Sequence, residues 1–375
     1  MSLSNSPKPH QVAWLAARLV AAMSSGEDLM RAWRTQHYGQ PLDVLKLDEV
    51  PVPSPDAGEV RVKVQAIPLN LNDLERVTGG NMMVRPDLPY SPGMEVMGLV
   101  DACGPDTQQW LNRRVVAIPK GAYGGYAEYA ICPVVSTFEM PASIPLPGAA
   151  ALYFPFHLAW LGLFDRAELM AEESVLIHAG AGGSGSAAIQ LAADAGARVF
   201  ATAGTDKKVE MCRSLGAHVA INYNSTDFSD VILAETSNSG VDVVFDNVGA
   251  SVMESSMKCL KYNGRYLMMG FASDKAVADE KFLVPRRIAL GNFKMCGVLL
   301  AYQSPDAVDF LKTGMGWNFP PQALGEQIMR EIVSMVLAGR VKPVVGRVVG
   351  FGDIPSALDS MANRESVGRT IATLD

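Results

Sequence analysis

Three glycines carry the clearest chemical signal in this chain: Gly180, Gly182 and Gly185, spaced GxGxxG inside the stretch Glu173 to Gly196 (ESVLIHAGAGGSGSAAIQLAADAG). Val175, Leu176 and Ile177 run into them as apolar β-formers, and Ala187, Ala188, Leu191, Ala192 and Ala195 follow at helical spacing. Strand, tight turn and helix in that order can hold a diphosphate. The first glycine allows the turn, the second lets backbone approach a pyrophosphate, and the third lets the helix pack close to its strand. A helix beginning near Ser184, just past Gly183, then points free N–H groups and its positive dipole end at the phosphates. A merely flexible glycine-rich loop has the same composition, so the flanking elements must decide.

Those elements continue for about a hundred residues. Arg198 to Ala203, His218 to Tyr223, Val241 to Asp246 and Arg265 to Met269 read as strands, with helices over Lys207 to Leu215 and Ser251 to Leu260. Short apolar strands alternating with helices predict right-handed βαβ crossovers and a buried parallel sheet of the dinucleotide-binding kind. In such folds an acid about 20 positions past the glycine turn takes the adenosine ribose hydroxyls and repels a 2′-phosphate. Here that position is Ala203, followed by Gly204, Thr205, Asp206, Lys207 and Lys208. A hydroxyl and two ammonium groups therefore lie where a phosphate would arrive, which predicts NADPH over NADH. Asp206 is the contrary sign, assigned to the solvent side of the first helical turn, where the dipole favours an acid.

With 375 residues, two domains are expected. The composition, 49% hydrophobic and 19% charged, suits globular cores, and a net charge of −7 without a basic block argues against nucleic acid or an anionic membrane as partner. The five cysteines are scattered and never in CxxC spacing, so a reducing, cytoplasmic compartment is expected. Cys212 and His218 fall on a helix and the next strand, where burial explains them better than a metal. Val12 to Met23 is apolar but interrupted by Arg18, too short for a bilayer span and a poor secretory signal, so residues 1–29 read as a peripheral helical extension.

From Met30 to about Ile144 the chain reads as short strands and turns, with period-two alternation over Gly58 to Ile67 predicting an antiparallel, partly closed β domain. Ile144 to Met170 is apolar and helix-rich, interrupted at Pro155, and reads as interdomain core. Phe293 to Leu300 suggests a sixth strand. Gln322 to Ala338 is helical, and a strand pair over Val344 to Val349 and Thr370 to Leu374 returns to the first domain.

The layout resembles the medium-chain dehydrogenase/reductase superfamily, and VLIHAGAGGSGSAAIQLA, ARVFATAGTDKK, LGAHVAINY and VFDNVG resemble its zinc-independent quinone oxidoreductase branch, the zeta-crystallin-like group. The resemblance implies a Rossmann doubly wound parallel sheet at 151–304 inserted into a GroES-like, partly closed antiparallel β domain at 30–150 and 305–375. Where zinc relatives place a Cys and the His of GHE, this chain has Asn70 and Met94, beside Glu95, and the four-cysteine lobe has no counterpart. No metal is expected, and an acceptor that is already electrophilic, a quinone or α,β-unsaturated carbonyl, follows. The resemblance further implies that Asn70 and Asp73 line the nicotinamide pocket, although Asn70 or Asn72 as a plain helix cap reads equally well. It implies that Thr205, Lys208 and Tyr223 meet the 2′-phosphate, that Asn247, Gly249, Gly270 and Phe271 surround the riboses and nicotinamide, and that Arg364 reaches the adenine-side phosphate. It also implies a homodimer through the edge near Phe293 to Leu300. Related enoyl thioester reductases carry a catalytic Tyr where this chain has Asn81, so that activity, like non-catalytic NADPH binding, stands as an alternative.

Overall fold

The computed structural model describes residues 28–80, 85–269, 285–363 and 366–374. It divides into two compact units, Met1–Ala150 with Arg347–Ser366 and Thr370–Asp375, and Ala151–Gly346 with Val367–Arg369.

The first unit is built on one long strand. β3 (Glu59–Leu69) alternates Val60, Val62, Val64 and Ala66 inward, all 4% exposed or less, against Arg61, Lys63 and Gln65. It pairs antiparallel with β4 (Val96–Cys103), β6 (Tyr129–Pro133) and β15 (Arg369–Thr373), the last through Thr370–Thr373, while β5 (Arg114–Ala117) and β7 (Thr137–Glu139) extend the sheet beyond β4. β14 (Val345–Gly350) completes the opposite end, and β1 (Leu29–Thr35) with β2 (Leu45–Pro51) forms a separate two-stranded ribbon. Helix α1 (Leu71–Thr78) follows β3 directly and buries Leu74 and Val77 in the same core.

In the second unit, β8 (Ser174–Ile177), β9 (Arg198–Ala203), β10 (Val219–Asn222), β11 (Val241–Asp246), β12 (Leu260–Met268) and β13 (Lys294–Gly297) form one parallel sheet in the order β10-β9-β8-β11-β12-β13. The order reverses after β8, and ligands of such sheets bind at that switch point, beyond the carboxyl ends of the strands. Leu176, Phe200, Val244 and Tyr266 form the sheet's core, which is why these strands read as unbroken apolar runs. Among its helices are α2 (Tyr153–Trp160), α3 (Gly183–Asp194), α4 (Asp206–Ser214), α5 (Phe228–Glu235), α6 (Ala250–Lys258), α7 (Pro305–Met315) and α8 (Gln322–Leu337).

Two expectations are revised. Pro155 does not interrupt the helix: it sits in the first turn of α2, where its missing N–H has no intrahelical acceptor, and α2 runs on into a π-helical turn over Leu161–Arg166. The return to the first unit comes at Arg347, not at 305. Residues 305–346 stay with the parallel sheet because α8 buries Ile328, Met329 and Ile332, and the Glu331 carboxylate accepts the Trp160 indole N–H of α2 at 2.9 Å.

Candidate active site

At the end of β8 the chain turns tightly. The left-handed backbone falls on Ala179 (φ 52°) and not on the first motif glycine. Gly180 is required by packing instead, since a β-carbon there would stand 2.9 Å from Cys212 Sγ and 3.0 Å from Ile189 Cδ1. Gly182 caps α3, which begins at Gly183, one residue before the expected start. The first intrahelical bond is donated by Ser186 N–H to the Gly182 carbonyl, leaving the N–H groups of Gly183, Ser184 and Gly185 in the first turn without intrahelical acceptors. A β-carbon on Gly185 would come within 2.2 Å of the Ala179 carbonyl oxygen, so helix and turn meet there only because no side chain intervenes. In front of Gly182 a β-carbon meets only that same oxygen, at 3.3 Å, so the cradle is open where a diphosphate needs it. Gly183 lies under the aliphatic stem of the buried Arg369, an arginine the sequence pattern did not single out.

Two further loops flank this turn at the carboxyl ends of the strands. After β9, Thr205 caps α4: its hydroxyl oxygen accepts the Lys208 N–H at 3.3 Å. The Tyr223 hydroxyl lies 2.6 Å from where a β-carbon on Gly204 would sit, so it stands beside the loop that runs through Thr205 into the first turn of α4, which carries Lys208. After β11, the Asp246 carboxylate accepts the N–H groups of Val248 (2.7 Å) and Gly249 (3.0 Å) and the Tyr266 hydroxyl at 2.6 Å. Gly249 has φ 89° and ψ −139°, a backbone that glycine alone adopts without strain, so its place reflects more than an ordinary turn. The Asn247 amide donates to the His178 carbonyl at 3.5 Å, the weakest of these bonds. Gly270, Phe271 and Arg364, and with them Asn81, lie outside the described residues.

Beneath the turn, His178 is fully buried between strand and helix. Its Nδ1 meets the Thr202 hydroxyl at 2.9 Å and its Nε2 the Ser256 hydroxyl at 2.7 Å. Ser256 donates its own proton to the Val252 carbonyl, so it accepts from His178, which makes the imidazole the neutral Nε2–H form. Burial holds its pKa down to about 3. His178, Thr202 and Asp246 were missed as site builders; the available signal was polar residues inside or at the ends of apolar strands.

In the first unit, Asn70 and Asp73 belong to one buried network. Asn70 caps α1, and its amide N–H groups donate to the Pro68 carbonyl (3.2 Å) and the Glu95 carboxylate (3.3 Å). Asp73 closes the cap from the other side: one oxygen accepts Asn70 N–H (3.0 Å) and the Tyr126 hydroxyl (3.1 Å), the other accepts Met94 N–H (2.9 Å). The Arg76 guanidinium stands 3.8 Å away and also donates to the Ala122 carbonyl. Asp73 is 0% exposed, and burial, outweighing Arg76 and these donors, raises its pKa above the ordinary carboxylate value. Asn70 thus serves as the cap of α1, and its amide also reaches Glu95.

Asn70, Met94 and Glu95, which the resemblance aligns with the zinc region of zinc relatives, carry an amide, a thioether and a carboxylate that accepts from that amide. Among the described residues, no three His, Cys, Asp or Glu side chains are grouped to hold a metal ion. Cys212 is buried and the His218 imidazole accepts Val199 N–H at 3.1 Å, so that pair serves structure.

Comparison with known proteins bears on the whole chain. Residues 56–142 match the alcohol dehydrogenase GroES-like domain family, and residues 183–313 match the family described as zinc-binding dehydrogenase. A quinone oxidoreductase of Rattus norvegicus is 33% identical over 250 residues, 66% of this chain and 75% of that protein. A quinone oxidoreductase-like protein 2 homolog of Nematostella vectensis is 28% identical over 92% of this chain and 90% of its own length. Among solved structures, a mycobacterial protein complexed with NADPH superposes with a TM-score of 0.78 at 25% identity, over 92% of this chain and 99% of that one. Glycine turn, parallel sheet, antiparallel unit and these relatives agree: the chain belongs to the quinone oxidoreductase branch of the medium-chain dehydrogenase/reductase superfamily.

Proposed function

We propose that this protein is an NADPH-dependent reductase of quinones or other α,β-unsaturated carbonyls that works without zinc. The observation that supports the cofactor half is the Tyr223 hydroxyl standing at Gly204, beside the Thr205 cap of the helix that carries Lys208, with no acid at Ala203. Bound NADPH supplies a hydride. The first-turn N–H groups of α3 hold the diphosphate, the dipole of α3 favours its charge, and Lys208 with the Thr205 and Tyr223 hydroxyls takes the 2′-phosphate. Asn247 and Gly249, with Gly270 and Phe271, are the proposed ribose and nicotinamide contacts, and Arg364 the proposed adenine-side cation.

The acceptor half rests on chemistry. A saturated ketone needs its oxygen polarised before it takes hydride, and the amide, thioether and bonded carboxylate at Asn70, Met94 and Glu95 are a poor set for a Lewis-acid metal. A quinone needs no such help, and solvent supplies its protons. Asn70 is the proposed reaction-side contact. Asp73, whose carboxylate oxygens are occupied by donors, acts through Asn70 as a positioning residue.

Oxidation of NADPH against a panel of benzo- and naphthoquinones, enones, enoyl thioesters and saturated ketones tests the reading. Quinone turnover that survives chelators is expected, with saturated ketones slow or inert. Preference for the thioester favours the runner-up, cofactor affinity without turnover indicates a binding protein, and chelator-sensitive ketone reduction overturns the account. The Lys208→Ala variant is expected to weaken NADPH about tenfold to a hundredfold while sparing NADH, the loss of one charge-assisted hydrogen bond.

A further inference from the structure

Within the loop that leads through Thr205 to Lys208, Asp206 is the charge that works against a phosphate. It opens α4, between the capping hydroxyl and the two lysines. A free carboxylate here repels a 2′-phosphate and offers acceptors to a ribose diol, which is how acids at this end of the second strand select NADH. Asp206 is not free: the Asn222 amide, on the last residue of β10, donates to its Oδ1 at 2.8 Å.

Asn222 is itself held in one orientation. Its amide oxygen accepts Asn224 N–H at 3.1 Å, and the Asn224 side chain donates to the Gly204 carbonyl at 2.8 Å. This fixes which end of the Asn222 amide faces Asp206. The parallel ladder adds register, with Asn222 opposite Ala203 and Tyr223 N–H donating to the Ala203 carbonyl at 3.1 Å. The three residues after the β10 core thus grip the loop at its carbonyl, its glycine and its acid.

We propose that Asn222 is a specificity-determining residue, which ties Asp206 to β10 and so lets a 2′-phosphorylated dinucleotide share the loop with a carboxylate. This rests on the NADPH reading above. Without the amide, Asp206 is released to oppose the phosphate and to serve the ribose hydroxyls of NADH. The preference falls from both sides at once.

The test is a double-mutant cycle on Asn222→Ala and Asp206→Asn, reading NADPH and NADH dissociation constants by nucleotide fluorescence and kcat/KM with one quinone. Asn222→Ala is expected to lower the NADPH:NADH affinity ratio about tenfold, the scale of one lost charge contact near the surface. In the Asp206→Asn background the same change is expected to move the ratio less than about twofold. Asn222→Ser, which replaces the amide with a shorter hydroxyl, repeats the measurement if the alanine variant is unstable. An unchanged ratio in a folded variant, or an equal change in both backgrounds, overturns the proposal while leaving the NADPH reading intact. A wild type that prefers NADH overturns both.

Discussion

Asp73 in the first unit and Asp246 in the second are built alike and used differently. Each is a buried carboxylate that accepts two backbone N–H groups and one tyrosine hydroxyl, and burial raises the pKa of each above the ordinary value. Asp246 binds N–H groups two and three residues ahead, so it shapes one loop. Asp73 reaches Met94 and Tyr126, distant segments, and stands beside a buried cation, Arg76. One acid forms a turn, whereas the other fastens three parts of a sheet domain around the end of a strand. The same donors serve a local or a global purpose according to the sequence separation they bridge.

Removing each acid measures that difference. Asp73→Ala leaves Arg76 buried without its carboxylate and removes the acceptor of three hydrogen bonds, and is expected to destabilise the first unit by about 3–5 kcal/mol in urea unfolding. Asp246→Ala removes the acceptor of Tyr266 and of two N–H groups, with no ion pair at Asp246 among the described residues, and is expected to cost about 1–3 kcal/mol while weakening nucleotide binding. Equal losses from the two would dissolve the contrast.

Dependence on pH separates the acids from the buried histidines. His178 and His157 are both held down to about 3 by burial, against an ordinary 6.5. Below about pH 6.5 the unfolded chain takes up protons that these imidazoles refuse in the fold, so their contribution is full above that pH and is lost as pH falls toward 3. The slope is about 1.4 kcal/mol per pH unit for each. Asp73 and Asp246 act in the opposite sense, because the fold takes up their protons at a higher pH than the unfolded chain does. Stability followed between pH 7 and 5 is expected to fall, and His178→Asn is expected to remove one proton's worth of that slope. A slope left unchanged by His178→Asn would show that His178 takes up its proton alike in the folded and unfolded chain.

The parallel sheet was readable because strands buried on both faces are continuous apolar runs, and Val175–Ile177 and Val241–Asp246 hardly resemble anything else. The helix over Lys207 to Leu215 was readable from its own local pattern, whereas the Thr205 cap before it was not singled out. The Asp73 network was not: its bonds to Met94 and Tyr126 depend on where strands pair, and the sequence carries no spacing for that. Asn222 escaped too, since an asparagine ending a strand looks like any turn residue. The late return at Arg347 was hidden because α8 has the amphipathic pattern of any packed helix, and the pattern does not name its partner.

β3 is completed along one side by residues 370–373, the far end of the chain. During synthesis, Ala66 to Leu69 leave the ribosome roughly 300 residues before Thr370 to Thr373, a delay on the order of 15–60 s at about 5–20 residues per second. Through that interval the last four residues of β3, Ala66 to Leu69, present a bare apolar edge beyond the part that β6 covers, while the intervening parallel sheet has all its strands and is free to form. The inserted unit is therefore expected to mature first, and a nascent chain stalled before Arg369 exposes an edge suited to capture by a chaperone or by another strand.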